Sequence, residues 1–245
     1  MINIDWKGWK RALFDFFLPG ECPICAKAAY LDDVSFSCLS CLDSVAWIQQ
    51  SRCKLCGVGM DGMDYAGLTC KNCREFPPLF GAGRAMFYLN KAGRQLVHQL
   101  KYDRNKRILE DIPFFLERAP QFLEFLTGAV LIPVPLHPKK LYKRGYNQSL
   151  WIAEAFAREA GVRTVAYDCL KRVRNTPTQT KLDRKERQQN VKNAFALKDG
   201  TCLDGFDRVV LVDDVYTTGA TLDACAKALI DRGVGLVEVA TLGHG

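Results

Sequence analysis

The sequence predicts an α/β protein, in which helices flank a parallel sheet and a small cysteine-rich zinc-ribbon domain precedes them. Two observations carry this prediction. After residue 78, short apolar runs that are typical of buried strands alternate with helical segments, which is the order of a parallel sheet covered by helices. Before residue 78, eight of the eleven cysteines form four C-x-x-C pairs, a spacing that is typical of zinc sites.

The four C-x-x-C pairs are separated by 12, 11 and 13 residues. Each pair turns two thiolates toward one point, and two pairs complete a tetrahedral zinc site. Because four thiolates leave no open coordination position, we expect two structural Zn²⁺ ions. Sequential pairing is the simplest arrangement, but the spacing also permits interleaved pairing. The expected zinc ligands are Cys22, Cys25, Cys38, Cys41, Cys53, Cys56, Cys70 and Cys73.

Other uses of the cysteines agree less well with the chain. Disulfides are disfavoured because no secretion signal is recognisable before the cysteines, and a redox C-x-x-C would need only one pair, beside a βαβ unit. Three cysteines lie outside the pairs, and we expect them to be small buried hydrophobic residues. These are Cys169, Cys202 and Cys225.

The composition is typical of a soluble globular protein, with 48% hydrophobic and 25% charged residues. No apolar run approaches the roughly 20 residues of a membrane helix, and Asp15 interrupts the apolar stretch near the N-terminus. We therefore expect a cytoplasmic protein without integral membrane association. Three parts are predicted along the chain: an amphipathic helix over residues 1–18, a double zinc ribbon over residues 19–78, and the α/β domain over residues 79–245.

The spacing of apolar residues predicts the elements of the α/β domain. Strands are expected over residues 85–89, 129–136, 209–212 and 236–242. Helices are expected over residues 93–102, 108–126 with a break at Pro113, 148–160, 182–193 and 220–230. In a parallel sheet of this kind, ligands bind beyond the carboxyl ends of the strands.

The most informative segment combines a buried strand, two acids, a small hydroxyl-rich loop and a helix. The N-terminus of a helix binds phosphate because its first N–H groups have no partner within the helix. Carboxylates accept hydrogen bonds from hydroxyl groups. The segment therefore suits a ligand that carries both a phosphate and vicinal hydroxyls. The residues concerned are Asp213, Asp214, Thr217, Thr218, Gly219, Ala220 and Thr221.

Residues 209–221 resemble the 13-residue signature of the type I phosphoribosyltransferases. The resemblance implies a type I phosphoribosyltransferase-like sheet and a site for phosphoribosyl diphosphate (PRPP). In that family the two acids bind the ribose hydroxyls, and the loop after them binds the 5-phosphate. By resemblance, Asp213 and Asp214 are the catalytic acids that hold the ribose, and residues 217–221 hold the phosphate. Tyr216 departs from the signature, which usually has an aliphatic residue there.

Positive charge is concentrated in two segments. Residues 171–192 carry eight basic and two acidic residues, which is most of the net charge of +7, and a second cluster begins at Lys139. Both segments are expected to bind a polyanion, either the diphosphate of PRPP or nucleic acid. The candidate residues are Lys139, Lys140, Lys143, Arg144, Arg172, Arg174 and Lys181. The histidines are expected on a helix surface (His98), in a loop (His137) and in the C-terminal tail (His244).

The order of motifs along nearly the whole chain resembles the ComF/GntX family of bacterial proteins. The motifs are the cysteine pairs, Leu100-Lys101-Tyr102, residues 133–136, 144–148, 176–179 and 187–195, and the acid pair. The resemblance implies a zinc ribbon joined to a phosphoribosyltransferase-like domain. It also implies a role in natural competence, meaning the uptake and handling of DNA, whereas some relatives are linked to gluconate use.

Two hypotheses follow. In the first, the protein binds PRPP or a nucleotide-like ligand with Mg²⁺ and is a candidate enzyme that transfers the phosphoribosyl group and releases diphosphate. In the second, it is a non-catalytic competence factor that holds single-stranded DNA, with Tyr142, Tyr146 and Trp151 as stacking residues near the basic segments. Competence and DNA-processing proteins would then be its partners.

Overall fold

The computed structural model describes residues 21–27, 35–48, 52–60, 69–162, 165–175 and 193–245. The helix predicted over residues 1–18 lies outside these ranges. So does the segment 176–192, which includes Lys181 and nearly all of the helix predicted over residues 182–193. Among the described residues, no helix combines the length and the apolar character that a membrane span needs.

The described elements follow the predicted alternation of strands and helices. Two short helices belong to the cysteine-rich part, α1 (Leu39–Asp43) and α2 (Lys71–Glu75). The others, in chain order, are β1 (Gly83–Tyr88), α3 (Lys91–Tyr102), a 3₁₀ helix (Lys106–Asp111), α4 (Ile112–Arg118), α5 (Pro120–Leu126), β2 (Val130–Pro133), α6 (Pro138–Arg144), α7 (Gln148–Ala160), β3 (Leu170–Arg172), β4 (Phe195–Leu197), β5 (Arg208–Tyr216), α8 (Ala220–Ile230) and β6 (Leu236–His244).

Four parallel strands form the main sheet in the order β1-β6-β5-β2. β5 lies inside the sheet, and its apolar residues 209–212 are fully buried, as expected for a parallel sheet covered on both faces. β3 and β4 form a separate antiparallel pair that the sequence did not predict. The predicted fold, a parallel sheet flanked by helices with an N-terminal cysteine-rich ribbon, is confirmed.

Alternate residues of β5 enter two hydrophobic cores. Val210 and Val212 pack into a core that is built from the 3₁₀ helix, α3, α4, α5 and α7. Val209 and Leu211 pack into the core on the opposite face, which contains α8 and three cysteines of the second ribbon. Since a shift by one residue would exchange the two sets of side chains, the register of this strand is strongly specified.

The strand that carries the acid pair is longer than predicted. The sequence predicts a strand over residues 209–212, but β5 pairs with β6 as far as Tyr216 and His244. Asp213 therefore lies opposite Thr241, inside the ladder. The predicted end was wrong because aspartate is depleted in strands, and only the partner strand shows that the pairing continues.

Two other predicted boundaries need correction. The break expected at Pro113 corresponds to the change from the 3₁₀ helix to α4 at Ile112, and a second break at Ala119, just before Pro120, was not predicted. Pro113 lies in the first turn of α4, where a missing N–H group costs no helical hydrogen bond. β2 ends at Pro133 and not at residue 136, because its pairing with β5 ends there.

The cysteine-rich part covers one edge of the sheet. The Ile48 N–H donates to the Met86 carbonyl at 2.9 Å, and the Tyr88 N–H donates to the Ala46 carbonyl at 2.8 Å. These bonds pair the ribbon with the outer edge of β1. An uncovered edge strand would present a row of unpaired backbone groups to other chains.

Side chains of the first ribbon continue this contact into the core. Trp47 packs against Phe87 and Phe115, with ring centroids 5.9 and 5.3 Å apart, and its indole N–H donates to the Leu42 carbonyl at 3.2 Å. Leu42 and Val45 belong to the same core as α3 and α7. The first ribbon and the sheet therefore share buried apolar surface.

A buried carboxylate also connects the first ribbon to the sheet domain. Asp111, at the end of the 3₁₀ helix, is fully buried. It accepts hydrogen bonds from the Phe36 N–H at 2.6 Å and from the Ser37 N–H at 3.1 Å. Burial raises the pKa of Asp111, and these N–H donors act against the shift. The carboxylate thus provides the hydrogen-bond acceptor for two backbone N–H groups of the ribbon, and the contact with Ser37 is buried.

We expect Asp111→Ala to lower the free energy of unfolding by about 2–4 kcal/mol, because two ribbon N–H groups lose their acceptor. Asp111→Asn keeps one acceptor oxygen and should cost less. The measurement is urea unfolding of the zinc-loaded protein, followed by circular dichroism. Glu110→Ala, at the exposed neighbouring position, is the control and should change the stability by less than about 0.5 kcal/mol. A loss no larger than that of the control would contradict the role of Asp111.

Candidate functional site

The eight paired cysteines form two groups in space. The sulfur atoms of the first group lie within 4.8 Å of one another, and so do those of the second. The pairing that the spacing left open is therefore sequential. Four converging sulfur atoms are the ligand set of a structural Zn²⁺. The groups are Cys22, Cys25, Cys38 and Cys41, and Cys53, Cys56, Cys70 and Cys73.

Hydrogen bonds favour thiolates in both groups. The Cys38 N–H donates to Cys22 Sγ at 3.4 Å, and the Cys70 N–H donates to Cys53 Sγ at 3.3 Å. A hydrogen bond with the Cys56 thiol lowers the pKa of Cys53 to about 4, against the effect of burial. Burial and the neighbouring sulfur atoms raise the pKa of Cys22, Cys41, Cys56 and Cys73, so four thiolates in one group need a cation to balance their charge. Zn²⁺ would supply this charge, held by the four sulfur atoms of each group.

A cavity of about 1030 Å³ opens at the carboxyl ends of the parallel strands. Its walls come from α3, from the segments that follow β1, β2 and β5, and from the N-terminal turns of α7 and α8. The acid pair and residues 217–221 line it together. Parallel α/β sheets bind their ligands at this edge, so the cavity is the candidate functional site.

Each acid in the cavity uses one oxygen for protein contacts. Asp213 Oδ1 accepts hydrogen bonds from the Ser149 hydroxyl at 2.8 Å and from the Asp214 N–H at 2.9 Å. Asp214 Oδ2 contacts the Lys101 ammonium at 2.9 Å and accepts a hydrogen bond from the Gln148 amide at 3.2 Å. Among the described residues, none donates a hydrogen bond to Asp213 Oδ2 or Asp214 Oδ1. Each acid therefore keeps one oxygen for a ligand.

One lysine balances charge at the acid pair. Burial and the neighbouring Asp214 carboxylate raise the pKa of Asp213 to about 7, and Lys101 acts against this shift. Desolvation lowers the pKa of Lys101, but the combined attraction of Asp214, Asp213 and Tyr102 outweighs it, so the pKa is raised. At neutral pH, Lys101 is therefore an ammonium that offsets the repulsion between the two acids.

The loop after β5 has the geometry of an anion site. Gly219 has a φ of +77°, and a Cβ atom there would lie 2.6 Å from the Tyr216 hydroxyl, so this position requires glycine. Gly219 is the N-cap of α8, whose first N–H groups lack partners within the helix. Tyr216, the departure from the signature, packs against Gly219 and the ring of Phe80. The hydroxyl residues that line the same end of the cavity are Thr217, Thr218 and Thr221.

Only some of the predicted basic residues line the cavity. Lys140, Lys143, Arg144 and Arg172 do, whereas Lys139 and Arg174 do not, and Lys181 lies outside the described residues. The lysines and Arg144 lie on α6. Desolvation lowers the pKa of Lys140, and the charges of Arg172, Arg144 and Lys101 add to the shift. Cations that repel one another in this way favour a multiply charged anion.

Three residues that contact the acid pair were not predicted as site residues. Lys101 entered the sequence analysis only through a family motif, as did Gln148, and Ser149 did not enter it. The periodicity of α3 could have indicated Lys101 as a site residue, since residues spaced by four and three positions share one helix face. Arg94 and His98 lie on that face and line the cavity with Lys101.

Two minor predictions are wrong. His244, expected in the tail, belongs to β6, is buried, and stacks on Tyr216 with ring centroids 4.8 Å apart. Burial lowers the pKa of His244 to about 4, so the ring is neutral at pH 7. Cys202, expected to be buried, is exposed, whereas Cys169 and Cys225 are buried as predicted.

Comparison with known proteins agrees with these features. Residues 13–74 match the double zinc ribbon domain. The chain is 31% identical over 228 residues to DNA utilization protein YhgH of Salmonella typhi, and the match covers 91% of this chain and 96% of that protein. It is 28% identical to competence protein F of Haemophilus influenzae, over 84% of this chain and 95% of that protein. It is 26% identical to competence protein ComFC of Bacillus subtilis, over 80% of this chain and 78% of that protein. The chain therefore belongs to the ComF family, which includes competence protein F, ComFC and YhgH.

Proposed function

We propose that the cavity binds PRPP, or another ligand that carries ribose 5-phosphate, and that the protein acts in DNA uptake or DNA utilization. One observation supports the ligand most directly. Asp213 and Asp214 each use one carboxylate oxygen for protein contacts, which leaves Asp213 Oδ2 and Asp214 Oδ1 for a ligand in the cavity that the first turn of α8 also lines. The names of the relatives, competence protein F and DNA utilization protein, support the biological role.

Each part of the cavity suits one part of PRPP. The remaining oxygens of Asp213 and Asp214 would accept hydrogen bonds from the two vicinal hydroxyls of the ribose. The first N–H groups of α8 and the threonine hydroxyls would bind the 5-phosphate. Lys101, Lys140 and Arg144, which line the cavity, would face the diphosphate, because charge-assisted hydrogen bonds to phosphate oxygens are strong.

Phosphoribosyl transfer is the reaction that this arrangement supports. The bond between C1 of the ribose and the diphosphate breaks, its electron pair leaves with the diphosphate, and an acceptor forms the new bond to C1. The acid pair would stabilise the positive charge that develops on the ribose, and the cations would stabilise the leaving diphosphate. The resemblance also implies Mg²⁺, but among the described residues only the two cysteine groups bring together three or more side chains that could hold a metal ion.

We expect isothermal titration calorimetry to show PRPP binding by the wild type in the micromolar range. Asp213→Asn and Asp214→Asn should each weaken it roughly 10–100-fold, because each removes a charged acceptor of a ribose hydroxyl. Asp231→Asn, at the C-terminal end of α8 and far more exposed, is the matched control. Unchanged affinity in both variants of the acid pair would contradict the ribose contact.

The acid pair should also distinguish between sugars. 2-Deoxyribose 5-phosphate lacks one of the two vicinal hydroxyls, so one carboxylate would be covered by the ligand without a donor. We expect it to bind at least ~10-fold more weakly than ribose 5-phosphate in the same calorimetric titration. Equal affinities of the two sugar phosphates would show that the acids do not recognise the vicinal hydroxyls.

A second function, the binding of single-stranded DNA, is favoured by exposed aromatic rings on α3 and α6, two helices that line the cavity. Tyr142 is 93% exposed and Tyr102 is 60% exposed, and the Arg144 guanidinium lies 5.7 Å from the ring centre of Tyr102. Bases stack on exposed rings among cations. The stacking role expected for Tyr146 is wrong, because its buried ring lies parallel to Trp151 with the centroids 4.1 Å apart.

We expect fluorescence anisotropy with a labelled oligothymidylate to show binding that weakens steeply with salt. Tyr142→Ala should weaken it by about 1–3 kcal/mol, the contribution of one stacked base. Tyr167→Ala is the control, since this ring is 69% exposed but lies outside α3 and α6, the helices whose basic residues line the cavity. Binding that is insensitive both to salt and to Tyr142→Ala would rule this function out.

A further inference from the structure

We propose that Lys101 is the resident cation of the acid pair, and that the cavity therefore binds PRPP without a divalent metal. Because the ligand is the one in the proposed function, this inference rests on that function. It departs from the resemblance, which implies Mg²⁺ at the site. Its basis is how Lys101 is held, what already occupies Asp214, and the balance of charge in the cavity.

Lys101 is held at the acid pair by the fold around it. It lies in the last turn of α3 and follows Leu100, which is fully buried and whose carbonyl accepts a hydrogen bond from the Tyr146 hydroxyl at 3.0 Å. The lysine side chain is 29% exposed, and the side chain of its partner Asp214 is 5% exposed. The packing of α3 therefore fixes the position of Lys101 in the cavity wall.

The other donor to Asp214 is also held in place. The Gln148 amide donates to Asp214 Oδ2, the oxygen that Lys101 contacts. The Arg144 guanidinium donates to the amide oxygen of Gln148 at 2.5 Å, which fixes the end of the amide that faces Asp214. A metal ion at Asp214 Oδ2 would therefore have to displace Lys101 or Gln148.

Charge in the cavity disfavours a further dication. Among the described residues, the lining contains two carboxylates, those of the acid pair, and seven lysine or arginine side chains. A divalent cation would add to this positive excess, whereas phosphate groups reduce it. Although desolvation acts against it, attraction to Asp214 raises the pKa of Lys101. The lysine consequently keeps its charge at neutral pH.

Lys101 can also connect the acid pair to the ligand. An ammonium group has three N–H donors, and the contact with Asp214 Oδ2 uses one of them. The other two are available to oxygen atoms of the ribose or of the diphosphate. A positive charge between a carboxylate and a phosphate reduces their mutual repulsion, which is what a bridging metal ion would otherwise do. Lys101 is thus a specificity-determining residue for a polyanionic sugar ligand.

The test is calorimetric titration of the full-length, zinc-loaded protein with PRPP, with and without added Mg²⁺. The buffer is freed of divalent metals with a chelating resin before the protein is added, because soluble EDTA would compete for the ribbon Zn²⁺. We expect the wild-type affinity to agree within ~3-fold between the two conditions. Lys101→Met should bind ~10–100-fold more weakly without Mg²⁺ and recover part of the loss with it.

Two further variants separate charge from packing. Lys101→Arg keeps the cation and should remain independent of Mg²⁺, whereas Lys101→Gln keeps a donor without charge and should behave as Lys101→Met does. Lys227→Met is the matched control. Lys227 also lies near the end of a helix and contacts an aspartate at 2.9 Å, but it lies away from the cavity, and its loss should not change the affinity.

The outcomes distinguish this proposal from the proposed function. Wild-type binding that needs Mg²⁺ would overturn the proposal and leave the proposed function standing. If Lys101→Met binds PRPP as tightly as the wild type when Mg²⁺ is absent, the proposal is also overturned. An absence of PRPP binding in either condition would overturn both. If the lysine variants do not fold by circular dichroism, the comparison of the wild type in the two buffers still decides between these results.

Discussion

Two carboxylates placed inside a sheet must be balanced by charge and hydrogen bonds, and this requirement organises the α/β domain. Asp213 and Asp214 lie within the ladder of β5, where they lose much of their contact with water. Lys101 supplies the balancing charge from α3, and Gln148 and Ser149 supply donors from the first turn of α7. Two helices that flank the sheet are thereby bound to the acid pair, so the site and the packing of the domain depend on the same contacts.

The second zinc ribbon supports the site through the hydrophobic core, although none of its described residues lines the cavity. Cys53 and Cys56 share a hydrophobic core with Phe80 and Tyr216. Tyr216 in turn packs against Gly219, where the loop after β5 meets α8. Because protein interiors are close-packed, the position of the second ribbon and the position of this turn depend on each other. The second ribbon is thus an internal support of the loop, whereas the first covers the sheet edge.

Local sequence patterns predict those structural features that depend on residues close to one another in the sequence. α7 has its predicted bounds because Asn147 caps its first turn and Gly161, with positive φ, ends it. The order of strand, acids, loop and helix follows in the same way from adjacent residues. The periodicity of α3 places Lys101 on one face with Arg94 and His98, but nothing in either segment indicates that this face meets Asp214, because the contact joins distant segments. The sequential zinc pairing likewise depends on how the chain folds back, which the spacing of the cysteines leaves open.

The positive charge around the cavity would attract both proposed ligands, PRPP and DNA, but the two would make different contacts. Inside the cavity, two carboxylate oxygens suit a vicinal diol, which DNA lacks because its sugar has no 2-hydroxyl. On α3 and α6, the exposed rings of Tyr102 and Tyr142 suit any base. PRPP and DNA would therefore use different contacts but the same excess of cations. Since PRPP would neutralise part of that excess, its binding should weaken the attraction of these helices for DNA. The charges that line the cavity would thus couple the two proposed ligands without requiring any movement of the fold.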